Sequence, residues 1–280
     1  MLLKTVGEAM DIVEVAAEEL DPREAAVYQR ALDALSQAGV PSLVGGAYAF
    51  ASYTGIVRHT KDFDIFLRRS DVEAALQVLA GIGARVERTF PHWLAKAHFE
   101  GGLFVDLIYS SGNGVAVVDD LWFQHAQDGE VLGRKVRLCP AEEILWSKAF
   151  VQERERYDGA DVLHLLRARA EHMDWDRLLR RFGEHWRVLL SYLVLFGFVY
   201  PGSPGKIPPS VMEGLLRRLG EESESGAGQD GVCRGTLLSR LQYLPDLRRW
   251  GYRDARPIDP DHLASWTAAG EKEESERTEG

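Results

Sequence analysis

The chain is poor in cysteine, in uninterrupted apolar stretches and in positive charge. Its two cysteines, Cys139 and Cys233, stand far apart in 280 residues. That excludes a disulfide scaffold and a cysteine-based zinc site, and it leads us to expect a protein of the reducing cytoplasm. The longest apolar run, residues 188–200, is interrupted by Ser191 and Gly197. It falls short of the ~20 residues needed to cross a bilayer, so it is expected to be a buried helix. The first residues lack a charged head followed by an apolar stretch, so no secretory signal is expected. Lys and Arg number 33 against 43 Asp and Glu, a formal net charge of -10. The missing basic excess argues against a broad nucleic-acid face and suits a cationic small substrate.

What is present is a hydrophobic share of 45%, enough for a real core in one large domain or two ordinary ones. Residues 1–40 read as N-terminal helices. Asp21-Pro22-Arg23-Glu24 is a helix start, with Asp as cap, Pro in the first turn and Glu three places after the cap. From 41 to 139 strand and helix patterns mix. Short strands are expected at 42–44, 62–68, 84–90, 94–100 and 103–109, with a hairpin over 130–138. Helices are expected at 47–53 and after the capping box Ser70-Asp71-Val72-Glu73. After Pro140 the periodicity turns helical, over 141–151, 159–170, 175–199 and 210–219. An α/β part followed by a helical part, 140–220, is therefore predicted. The stretch 221–235 reads as a mobile loop. The acidic tail from Gly270 reads as disordered.

The chemistry concentrates between residues 44 and 67. Gly45-Gly46 follows an apolar run, and Asp62-Phe63-Asp64 opens another. In a strand Asp62 and Asp64 point the same way and Phe63 and Ile65 the other. Two carboxylates side by side repel unless a cation lies between them. Mg²⁺, which takes oxygen ligands, meets that need. Phe104-Val105-Asp106-Leu107-Ile108 puts a third acid inside an apolar strand, where burial is costly without a partner. If the two strands are neighbours, the three acids converge. Such a set suits two metal ions about 3.5–4 Å apart in phosphoryl chemistry. Two glycines between a strand and a helix let backbone N–H groups approach a phosphate.

The order Gly45-Gly46, Arg58-x-Thr60-x-Asp62-x-Asp64, then Asp106 resembles the nucleotidyltransferase superfamily with the DNA polymerase β-type palm. Its spacing is similar to the branch holding lincosamide and aminoglycoside nucleotidyltransferases and abortive-infection toxin nucleotidyltransferases. The segment from Glu142-Glu143 through Ser147-Lys148 to Arg154, Arg156, Asp158 and Asp161 resembles that branch too. The resemblance covers roughly residues 40–170. It implies an α/β (α+β) palm with a mixed sheet and an α-helical C-terminal domain. It implies transfer of NMP from an NTP to an acceptor hydroxyl on a small molecule, tRNA or protein, with release of pyrophosphate. Asp62, Asp64 and Asp106 would be catalytic and would hold Mg²⁺, two ions being expected. Gly45, Gly46, Arg58 and Lys148 would bind the nucleotide. Arg58 could instead pair with an acid, Thr60 shapes a turn, and Asp158 and Asp161 could pair with neighbouring cations. His59, His92 and His98 have no metal-ligand spacing, and Trp93, Trp122 and Trp146 fit the core as well as a base-stacking role. The rival readings are a toxin with the same chemistry held off by an antitoxin partner, and a non-catalytic nucleotide-binding relative.

Overall fold

The computed structural model describes residues 21–58, 60, 62–203, 205–225 and 231–279. Expectations for residues 1–20, for His59 and for loop positions 226–230 lie outside them. Asp21 caps the first described helix as its sequence predicts. Its carboxylate accepts from the Arg23 N–H at 2.8 Å, Pro22 takes the first turn, and α1 runs Pro22–Gln37. After Pro41 the chain enters β1 (Leu43–Val44), turns at Gly45 into α2 (Gly46–Thr54) and returns as β2 (Asp62–Phe66). Then come α3 (Val72–Gly81), β3 (Arg85–Phe90), β4 (Leu94–His98), β5 (Phe104–Ile108), α4 (Asp120–Gln124), β6 (Gln127–Val131) and β7 (Arg134–Leu138).

These strands make one seven-stranded sheet in the order β3-β4-β5-β2-β1-β7-β6. The pairs β2–β5 and β1–β7 are parallel, and the remaining neighbours are antiparallel. The sheet is mixed, as expected, and β2 lies at its centre. Phe63 and Ile65 of β2 and Val105 and Leu107 of β5 are fully buried, so alternation leaves the aspartates on the opposite face.

The helical part comprises α5 (Ala141–Ala149), α6 (Gly159–Arg169), α7 (Trp175–Phe182), α8 (Trp186–Val199) and α9 (Pro209–Ser225). A single helix over 175–199 is not what forms. Gly183, at φ +48°, breaks it and starts a short 3₁₀ turn; a left-handed glycine stops a helix whose apolar pattern runs on. Residues 221–225, read as loop, complete α9. Short segments β8 (Val232–Cys233), α10 (Leu244–Arg249) and β9 (Arg253–Asp254) follow, and β8 pairs with β9 in parallel. The tail read as disordered is helical, in α11 (Pro260–Glu279). Composition missed it because its acids meet arginines elsewhere in the chain: Arg248 with Glu271 at 2.9 Å and Arg240 with Glu273 at 2.7 Å. One cluster of buried apolar side chains extends from Tyr28 to Leu237. Pro140 therefore marks a change of secondary structure and not a break in the core.

Candidate active site

The parallel pairing of β2 with β5 sets Asp64 directly opposite Asp106, and Asp62 opposite Phe104. All three acids thus share one sheet face, as the alternation requires. The row continues one strand further. Lys96 of β4 is the register partner of Asp106, and its Nζ donates to Asp106 Oδ1 at 2.6 Å. The ammonium also sits 4.2 Å from the centroid of the Phe104 ring, a favourable cation–π position. Sequence reasoning passed over Lys96. Its signal was the alternation Leu94-Ala95-Lys96-Ala97-His98 read together with the hairpin register to β5.

Burial, then the charges of Asp106 and Asp62, push the Asp64 carboxyl up to about 7, against the pull of Arg156 and Lys148. Burial also raises Asp106, although Lys96 opposes it by hydrogen bond and charge. Among the described residues neither Asp62 nor Asp64 has an ion-pair partner. That is negative charge a divalent cation would relieve. The expected three-carboxylate metal set does not form among the described residues, where no group of three His, Cys, Asp or Glu side chains is placed to hold a metal ion. Lys96 pairs with the third acid, and Asp62 and Asp64 are left without an ion-pair partner among the described residues.

The glycine turn lies against this pair. Gly46 has φ +53°, and a Cβ there would fall 1.8 Å from Asp64 Oδ2. A Cβ at Gly45 would fall 2.2 Å from the Phe66 ring. The Gly45 N–H donates to the Asp64 carbonyl at 3.0 Å. That donor ties α2 to β2 and is not free for a phosphate, which corrects the expectation that both glycines present N–H groups. The first turn of α2 stands beside the Asp64 carboxylate, and the N–H groups at a helix start lack intrahelical partners.

A basic cluster forms beside the acids. Lys148, in the last turn of α5, reaches Asp158 at 2.8 Å and Asp161 at 2.9 Å. Arg58 Nη1 reaches Asp161 Oδ1 at 2.5 Å, with its guanidinium 5.1 Å from the Phe50 ring centroid. Arg156 pairs with Asp158 at 3.3 Å. Asp158 and Asp161 thus hold cations in place, and Arg58 takes the ion-pair alternative. Thr60 Oγ1 accepts from the Asp62 N–H at 3.3 Å, which fits its turn role. Glu142 and Glu143 are buried against Arg177, and Arg181 also pairs with Glu143; they join α5 to α7. Trp122 and Trp146 are core residues, Trp122 stacking on Phe66 at 5.3 Å, and Trp93 stacks on Phe90. His92 is buried, with Nε2 3.1 Å from the Gly112 carbonyl oxygen. A polar cavity lined by Tyr53, Glu142, Arg169, Asp174 and Arg177 includes none of the three aspartates.

The sequence pattern of a family described as uncharacterised nucleotidyltransferase matches residues 16–195. The chain belongs to that family. No curated protein matches this nucleotidyltransferase. Among solved structures it is similar to a lincosamide antibiotic adenylyltransferase with lincomycin bound, at 19% identity over 52% of this chain and 96% of the other, TM-score 0.38. It is similar to the antibiotic-resistance factor ANT(2″)-Ia, at 15% identity over 74% and 98% of the two chains, TM-score 0.38. A nucleotidyltransferase-like protein of Paracoccidioides brasiliensis matches at 17% identity over 62% and 94%, TM-score 0.36.

Proposed function

We propose that this nucleotidyltransferase moves an NMP group from an NTP to an acceptor hydroxyl in a Mg²⁺-dependent reaction that releases pyrophosphate. The observation that carries the reading is the in-register placement of Asp64 beside Asp106, with Asp62 on the same face. Asp62 and Asp64 would hold Mg²⁺, which, when bound, neutralises charge on the triphosphate and makes the α-phosphorus more electrophilic. Asp106 would accept the proton of the acceptor hydroxyl through the oxygen that Lys96 leaves free. The first turn of α2, with Gly46 admitting close approach, would face phosphate oxygens. Lys148 and Arg58, already held by Asp161, would add positive charge beside the triphosphate. Most of the rate enhancement would then come from positioning and charge. The net charge of -10 favours a cationic small molecule over tRNA as acceptor.

The test is transfer of α-labelled phosphate from each of the four NTPs to pooled small hydroxyl compounds and pooled RNA. Mg²⁺-dependent transfer that disappears in Asp64→Ala supports the proposal. Transfer that persists in Asp64→Ala, or NTP binding indifferent to Mg²⁺, rejects it.

A further inference from the structure

We infer that Lys96 is a positioning residue that withholds Asp106 from the metal and reserves it for the acceptor, so that the two β2 aspartates alone hold the first divalent cation. This rests on the nucleotidyltransferase reading of the site and adds a division of labour within it.

The geometry comes from three adjacent strands. Asp64 on β2, Asp106 on β5 and Lys96 on β4 are successive register partners, so they form one row across a single face. The spacing of neighbouring strands, about 4.8 Å, places each side chain within reach of the next and not beyond it. Asp106 could therefore turn towards Asp64 or towards Lys96. It turns to Lys96, at 2.6 Å. The lysine has little freedom to leave: its side chain is 20% exposed and its ammonium lies over the Phe104 ring. Phe104 is the residue two places before Asp106 on the same strand, so the ring and the carboxylate form two walls of one socket. A charge-assisted bond between partly buried groups holds more firmly than a surface pair.

The consequence is electrostatic. In mildly alkaline solution, with the carboxyls ionised, Asp62, Asp64, Asp106 and Lys96 together carry three negative charges and one positive; Lys148 and Arg156, which also act on Asp64, are already paired with Asp158 and Asp161. The positive charge sits at the Asp106 end of the row. Asp62 and Asp64 would hold a divalent cation, and the Lys96 ammonium would disfavour a second one beside Asp106. One oxygen of Asp106 stays bonded to the ammonium, and the other remains to accept a proton from an acceptor hydroxyl.

Mn²⁺ binding in the absence of nucleotide tests this without reference to turnover. It can be followed by electron paramagnetic resonance and calorimetry in mildly alkaline buffer. The wild-type chain should bind one Mn²⁺, and Asp64→Asn should abolish that binding. Lys96→Met removes a positive charge a few ångströms from the site. It should tighten Mn²⁺ binding by on the order of tenfold or admit a second ion, while Lys96→Arg keeps the wild-type stoichiometry and affinity. Thermal melts of each variant show that the protein is folded. A lysine with only a structural role would shift the melting temperature of Lys96→Met and leave Mn²⁺ binding as it was; that result overturns the inference while Asp64-dependent binding keeps the broader reading intact. Wild-type protein that binds no Mn²⁺ without nucleotide also overturns the inference, while the broader reading stands or falls on the labelled-NTP transfer in Asp64→Ala.

Discussion

At Asp64 the protein tolerates an arrangement that costs stability. A half-buried carboxylate beside two others is held up near neutrality, and no protein cation pairs with it among the described residues. Asp64→Asn should leave the metal-free fold as stable as the wild type or more so, because it removes like-charge repulsion, while transfer activity falls by about 10³-fold or more. Calorimetry and labelled-NTP transfer on the same preparations check both halves; a destabilised Asp64→Asn would contradict the electrostatic account. The glycines allow a sharper comparison. Gly39 and Gly46 both have positive φ, but a Cβ at Gly39 meets nothing, whereas one at Gly46 strikes the Asp64 carboxylate. Gly39→Ala should cost about 1 kcal/mol from backbone strain alone and leave activity unchanged. Gly46→Ala should cost more, about 2–3 kcal/mol, and should also abolish transfer, since the carboxylate must move to make room.

The elements with clear period were legible in the sequence, and the contacts between them were not. The capped start of α1, the strands carrying Asp62, Asp64 and Asp106 and the hairpin of β6 with β7 follow from alternation and turn residues. The parallel neighbourship of β2 and β5 needed the whole sheet order, which no local pattern contains. Lys96 was invisible for that reason: its meaning depends on being the register partner of Asp106. Glu142 and Glu143 show the same limit. In the sequence they belong to a stretch resembling a catalytic family, and in the fold they are buried anchors for α7. Glu143 is fully buried and meets both Arg177 and Arg181. Removing one partner of a buried ion pair strands the other charge, at about 3–5 kcal/mol. Arg177→Met is therefore expected to lower the urea midpoint sharply. Arg177→Met combined with Glu142→Gln should recover part of the loss, since Glu142 is the acid that Arg177→Met strands, whereas Glu143 keeps Arg181.

Over the whole molecule, the sheet and the helical part share one core, and charge pairs connect segments remote in sequence. Asp119, the cap of α4, accepts from Arg181 of α7 through both oxygens, at 2.6 and 2.7 Å. Burial raises its carboxyl, but the Arg181 bonds and charge and the backbone N–H groups of Leu121 and Trp122 outweigh it, so Asp119 lies below its ordinary value. The sign of the consequence follows. A carboxylate whose folded pKa is depressed binds its proton more readily in the unfolded chain. It therefore adds stability at every pH above the unfolded value, about 3.9, and loses that contribution as the pH falls through the folded value. Asp119→Asn should be less stable than the wild type at neutral pH, with the gap closing once the pH drops below about 4. Urea midpoints of the two proteins across that range measure the gap directly. A gap that stays constant down to the acid limb would mean that the amide loses shape or capping at Asp119 and not charge. A gap that closes shows that ionised Asp119 fastens the end of the sheet region to the helical part through Arg181.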